Sequence, residues 1–165
     1  MQAFKAFIVS LVFLFALWLL LAGSTSRQEM LVGGAVALLL ALLFRRRLAV
    51  LGDVRLTPRA LWHAFLYLWV FLWALLRSNL DVALRVVNPR LPIHPGIVRV
   101  HTRLRSRLGR LALANSITLT PGTLTVETRD DTFYIHWIDV TATDVEESTR
   151  RIVSAFEKHL EVIFG

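Results

Sequence analysis

Three apolar blocks followed by a change of texture organise this chain. Residues 6–22 (AFIVSLVFLFALWLLLA) carry no charge. At about 1.5 Å of rise per residue, such a helix with its flanks reaches across a hydrocarbon core of about 30 Å. A short polar loop, Gly23–Glu29 (GSTSRQE), leads into a second block from Met30 to Phe44, so the two are predicted to form an antiparallel hairpin. Lys5 ahead of the first block and Ala22-Gly23 behind it imitate a secretory leader. A second apolar block follows almost at once, and the first is read as a retained helix.

The third block, Ala60–Leu76 (ALWHAFLYLWVFLWALL), opens with Thr57 as N-cap and Pro58 at the first helical position. Its length would allow a crossing, yet Trp62, Trp69 and Trp73, with Tyr67 and His63, suit the membrane–water boundary. Its continuation to Asn88 and Pro89 alternates like a surface helix. From Leu91 the pattern becomes that of a soluble domain. Gly96–Leu104 alternates as a half-buried strand, and Ser106–Ala114 reads as a short helix. Thr120-Pro121-Gly122-Thr123 has the signature of a type II turn, with Pro121 fixing φ and Gly122 supplying the positive φ that follows. Leu124–Thr128 and Thr132–Val140 form a predicted hairpin across Arg129, Asp130 and Asp131. A final helix is capped by the T-x-x-E pair Thr143 and Glu146 and turns Val145, Ile152, Val153, Phe156, Leu160 and Ile163 to one side.

The predicted fold class is thus a membrane α-helical hairpin (1–47), a linker with a third apolar helix (48–90) that is interfacial or re-entrant with spanning left open, and a small α+β (β-α-β-β-α) cytoplasmic domain (91–165). Composition agrees: 55% of the 165 residues are hydrophobic, beyond the range of ordinary soluble domains. The net charge of +7 sets the topology. Arg45, Arg46 and Arg47 close the second block, and short arginine-rich loops stay cytoplasmic. Arginines 77, 85, 90, 99, 103, 105, 107 and 110 follow the third block against Asp81 alone. Two crossings keep every basic cluster inside; three would not. Gly33 and Gly34 in the second block offer a notch for close helix packing.

Candidate chemistry is sparse. The chain has no cysteine, which excludes disulfides and thiolate metal sites. It contains no nucleophile elbow, no phosphate-binding glycine loop and no H-E-x-x-H. The histidines 63, 94, 101, 136 and 159 do not fall at metal-ligand spacings. Asp130 and Asp131 read as turn formers rather than an acid–base pair. Ser116, Thr118 and Thr120 suit an anion or, equally, strand and cap roles. His63 is the single titratable group inside the third block, too little for a proton path. No catalytic residue, cofactor or metal is expected. The basic run Gly96–Arg110 reads as lipid contact rather than nucleic-acid binding, and the acidic final helix as a face for a protein partner.

The string Ala114–Glu127 (ANSITLTPGTLTVE), followed by Tyr134–Val140 (YIHWIDV) and placed behind a hydrophobic hairpin and a basic loop, resembles the E subunits of the Mrp-type (Mnh or Pha) multisubunit cation/proton antiporters. The likeness covers nearly the whole chain. It implies a bacterial inner-membrane complex that exchanges cytoplasmic Na+, or K+ in some systems, for external protons through its two largest subunits. The chain is then a multi-pass accessory part needed for assembly or full activity, with a cytoplasmic C-terminal domain, sister subunits and membrane lipids as partners, and no enzymatic role. The motif residues Asn115, Ser116, Thr118, Thr120, Pro121, Gly122 and Thr123 are expected to be structural. A membrane-tethered regulatory module that binds anionic lipid or a small anion is the alternative reading.

Overall fold

Uninterrupted aliphatic and aromatic residues make α1 (Gln2–Ala22) in the computed structural model of the protein, which describes residues 2–165. Gly23 stops it with φ +62°, a left-handed residue that glycine adopts without a Cβ penalty, and its N–H reaches back to the Leu19 carbonyl. Ser26 then caps α2 (Arg27–Leu43) by accepting from the Glu29 N–H at 3.3 Å. That cap starts the helix about one turn ahead of Met30, where hydrophobicity alone places it. The hairpin packs on small residues: Gly33, Ala37 and Ala41 of α2 recur every fourth position and are buried, as are Ala6 and Ser10 of α1. A one-turn helix, α3 (Arg45–Leu48), and a 3₁₀ turn, Ala49–Asp53, follow α2. Lys5 Nζ donates to the Gly52 carbonyl at 3.0 Å, fixing that turn to the start of α1.

The chain divides into two compact units, residues up to Val54 and Arg55–Gly165. The second opens with α4 (Pro58–Val87), one continuous helix of 30 residues that carries the third apolar block and its continuation and ends at Asn88, as read from sequence. Thr57 Oγ1 accepts from the Ala60 N–H at 3.1 Å, the cap read from sequence. The strands β1 (Gly96–His101), β2 (Thr123–Arg129) and β3 (Thr132–Trp137) form an antiparallel sheet in the order β1-β3-β2. Helix α5 (Arg107–Leu119) connects β1 to β2, and α6 (Val145–Ile152) and α7 (Ser154–Phe164) follow β3.

Three readings are corrected here. The helix expected to end at Ala114 continues through Asn115-Ser116-Ile117-Thr118 to Leu119, because Leu113, Ser116 and Ile117 are buried on one face and packing overrides the strand preference of Ile and Thr. The final helix is two helices, interrupted at Val153. Its cap is Asp144, which accepts from the Glu147 N–H at 2.8 Å, while Glu147 turns back to the Thr143 N–H at 3.0 Å. The cap therefore sits one residue later than Thr143, and Glu147 rather than Glu146 reaches back, to the residue ahead of the cap, since Asp outcompetes Thr as a cap.

The core joins Val100 of β1, Leu104, Leu113 and Ile117, Phe133 and Ile135 of β3, and Ile152, Val153, Phe156, Leu160 and Ile163 of α6 and α7. Ala64, Tyr67, Val70, Phe71 and Ala74 of α4 pack against it. The third apolar block thus folds with the C-terminal module. Among the described residues two helices are long and apolar enough to cross a membrane, over Ala3–Ala22 and Pro58–Val87; α2, at 17 residues, is shorter.

Candidate functional site

The hydroxyl-rich motif forms the corner where α5 turns into β2. Thr123 N–H bonds the Thr120 carbonyl at 3.3 Å across Pro121 and Gly122, and Gly122 has φ +93°, so the type II turn read from sequence is present. Every hydroxyl of the motif is occupied. Ser116 Oγ donates to the Ala112 carbonyl at 2.6 Å and meets the Tyr67 hydroxyl of α4. Thr118 Oγ1 accepts from the Thr125 N–H at 3.1 Å, and Thr120 Oγ1 donates to the Ser116 carbonyl at 2.8 Å. Thr123 Oγ1 donates to the Ile117 carbonyl at 2.7 Å. These bonds satisfy the last carbonyls of α5, which the helix leaves unpaired. Asn115 stands exposed beside them. The motif closes a helix and starts a strand, and the hydroxyl protons of Ser116, Thr120 and Thr123 are spent on carbonyls of α5 and of the turn.

Gly122 is confined on two counts. A Cβ there would lie 3.1 Å from Ile138 Cγ2, and the positive φ strains any other residue. Gly122→Val is expected to destabilise the protein by about 1–3 kcal/mol, read as a lower Tm of the full chain in detergent. An unchanged Tm would count against the turn's role.

Beside this corner lies a cleft of about 490 Å³, floored by Val70, Trp73, Trp137 and Phe156 and edged by Arg77 and Arg151. An ionic staple closes its end. Arg85 of α4 bonds Asp81 and Asp139, each at 2.8 Å, and donates to the Pro92 carbonyl at 2.6 Å. His94 Nδ1 lies 3.0 Å from Asp139. The His94 hydrogen bond, with Arg85 beside it, holds the Asp139 carboxyl below the usual carboxylate range.

Two features escaped the sequence. Glu157 is buried in α7, where it accepts from the Thr102 hydroxyl at 2.5 Å, the Arg103 N–H at 2.8 Å and Arg103 Nε at 3.3 Å. The apolar face Ile152, Val153, Phe156 and Leu160 runs past this position, and a helical-face count that included Glu157 would have flagged a buried acid. His159, also buried, sits with Nδ1 3.3 Å from Nδ1 of His63.

Burial, then the neighbouring His63 and Lys158, depress the His159 pKa. The folded state therefore binds fewer protons than the unfolded one as pH falls below the free value of about 6.5. Stability from this group is complete above that value and is lost as pH falls through the depressed one. The full chain is expected to melt at lower temperature at about pH 5 than at about pH 7, and His159→Gln to flatten that slope. A flat profile in the parent chain would contradict the burial argument.

The other singled-out residues are distributed over the first unit. Arg45, Arg46 and Arg47 are exposed on α3, and none joins an ion pair among the described residues. Gly33 and Gly34 differ: a Cβ on Gly33 would meet the Trp18 ring at 2.3 Å, whereas one on Gly34 would meet nothing within 4 Å. Trp18 Nε1 donates to Glu29 at 3.2 Å, which locks the indole over Gly33. Among the described residues no three His, Asp or Glu side chains converge on a metal-sized site.

A family model described as "Na+/H+ ion antiporter subunit" (MNHE) matches residues 11–163. The Na(+)/H(+) antiporter E subunit of Alkalihalophilus pseudofirmus is 33% identical over 144 residues, covering 86% of this chain and 87% of that one. The Na(+)/H(+) antiporter E subunit of Bacillus subtilis is 30% identical over 164 residues, covering 92% and 94%. Among solved structures, a chain of the membrane-bound sulfane sulfur reductase, an archaeal respiratory membrane complex, superposes with a TM-score of 0.86 at 41% identity, covering 97% of this chain and 99% of that one. With a closed structural motif, membrane-length helices and full-length relatives all on one side, the chain belongs to the family of Na+/H+ antiporter E subunits.

Proposed function

We propose that the chain is an accessory, non-conducting subunit of a monovalent cation/proton antiporter, supporting assembly and activity of the complex that exchanges cytoplasmic Na+ or K+ for external protons. The observation that carries this is the placement of ionisable groups. Residues 6–26 and 30–44 hold none. Lys5, at the edge of α1, is engaged with Gly52, and Glu29, in the first turn of α2, with Trp18. An ion path needs titratable or liganding groups at membrane depth, and such groups belong to sister subunits on this reading.

A second observation points the same way. The same scaffold, over nearly its whole length, occurs in an antiporter family and in a respiratory sulfur reductase. A part shared by complexes of different chemistry suits bracing better than conduction. In this reading the hairpin lies among sister helices, the C-terminal domain is cytoplasmic, and the Arg45–Arg47 cluster stays on the inner side, where anionic lipid attracts it.

Deleting the chain is expected to abolish Na+/H+ exchange in everted vesicles together with the intact complex on native gels. Lys5→Ala, Glu29→Gln and His63→Phe are expected to leave exchange in place wherever the complex still assembles. A variant that assembles normally and loses exchange overturns the proposal. For orientation, Arg105→Cys, at an exposed position, should react with an impermeant thiol reagent in everted vesicles and not in intact cells.

A further inference from the structure

Helix α4 is apolar on two sides, and only one of them is used within the fold. Towards the core it turns Ala60, Ala64, Tyr67, Val70, Phe71 and Ala74. On the other side Leu61, Phe65, Leu68, Leu72 and Leu76 recur every three or four residues and are exposed, with Trp62, Trp69 and Trp73 beside them at 58%, 69% and 65% exposure. A soluble protein rarely leaves so long an apolar stripe open to water.

A crossing would also cover that stripe, but the packed side forbids it. Helix α7 lies along α4, and its Lys158 is exposed while its Glu161 pairs with Arg103 at 3.1 Å. The contacts of Tyr67 with Ser116 and of His63 with His159 bind α4 to those neighbours. If α4 crossed the bilayer with these contacts intact, the charged groups beside it would enter hydrocarbon, at about 2.5–3.5 kcal/mol for each Asp, Lys or Arg at the centre. If α4 crossed alone, the domain would lose one wall of its core.

We infer that α4 lies in the plane of the membrane, its Leu/Phe/Trp face sunk to the headgroup–acyl boundary and its folded domain riding above. An in-plane amphipathic helix ordinarily keeps a polar face towards water; here the helix's own domain occupies that side. Tryptophan suits this depth because its ring is apolar and its N–H still finds a polar partner. Arg59 and Arg77, 18 residues or about five turns apart, fall on the same edge of the helix. Both are exposed and neither is in an ion pair among the described residues, so lipid phosphates are within their reach. The inference rests on the chain's membrane setting and not on its accessory role, so each can fail without the other.

The chain has no cysteine, so single labels need no background removal. Leu61→Cys, Leu68→Cys and Leu76→Cys are spin-labelled in the full chain, reconstituted in vesicles of phosphatidylethanolamine and phosphatidylglycerol. Depth is read from collisions with oxygen and with a water-soluble nickel chelate. All three labels are expected at one depth, about 5–10 Å into the boundary. A gradient that places Leu68 at the bilayer centre means a crossing and overturns the inference, and so does free access of the nickel chelate to all three. Arg59→Glu with Arg77→Glu is expected to move the labels towards water; unchanged depth removes the phosphate contact. In cells producing the whole complex, a photoreactive residue at Phe65 is expected to capture lipid, and high-yield capture of a sister subunit overturns the assignment.

Discussion

Glu157→Leu is expected to cost the protein about 2–4 kcal/mol, because two hydrogen-bond donors lose their acceptor while the exposed Arg103 guanidinium returns to water. The carboxylate serves the Thr102 hydroxyl, the Arg103 N–H and Arg103 Nε together, where the chain leaves β1 and heads towards α5. Leucine is similar in volume and would fill the space. It would leave the buried Thr102 hydroxyl and the Arg103 N–H without an acceptor, at about 1–3 kcal/mol for each unsatisfied group. Glu157→Gln keeps one acceptor oxygen and is expected to lose less than Glu157→Leu. The check is thermal or denaturant unfolding of the full chain in detergent, and equal stability of the two variants would show that the acid is not what holds this junction.

Gly33→Leu is expected to open the hairpin of the first unit, at a cost near the upper end of the 1–3 kcal/mol typical of overpacking, about 3 kcal/mol. Even the first added carbon falls inside the Trp18 ring, and moving that ring breaks its bond to Glu29. Gly34→Leu is the control: its added carbon meets nothing within the chain. Interhelical distances between labels on α1 and α2 should change for Gly33→Leu and hold for Gly34→Leu. If Gly34→Leu nevertheless prevents assembly of the complex, a sister helix passes at that position, which is the close-packing role the glycine pair suggests.

Much of this was legible in the residues because local chemistry and tertiary structure agree there. The Thr57–Pro58 start of α4, the Pro121–Gly122 turn and the Asp130–Asp131 reversal are each set by a few atoms of backbone and side chain. The failures fall where packing overrides propensity. Ser116, Ile117 and Thr118 favour extended structure locally, yet the buried face of α5 keeps them helical. The interruption at Val153 has no proline or glycine to announce it. The third block was ambiguous for a physical reason: a helix apolar on two sides has the composition of a membrane span, and its packing on Phe156 and Ser116 involves residues far along the chain. The hydroxyl-rich motif was readable as a structural turn, and the partner of each hydroxyl was not. Seven polar and turn residues close together resemble a binding loop until each hydroxyl is traced to the carbonyl or N–H it serves.

One of the two outer strands, β2, carries a bulge between Thr125 and Glu127. A protein confined to a membrane meets its copies in two dimensions at high local concentration, the setting in which a flat, unpaired strand would recruit its twin. The extra residue breaks the regular spacing of donors and acceptors along that border and increases its twist. That border thus offers crowded complexes no regular template for zipping sheet to sheet, even with Val126 exposed on it.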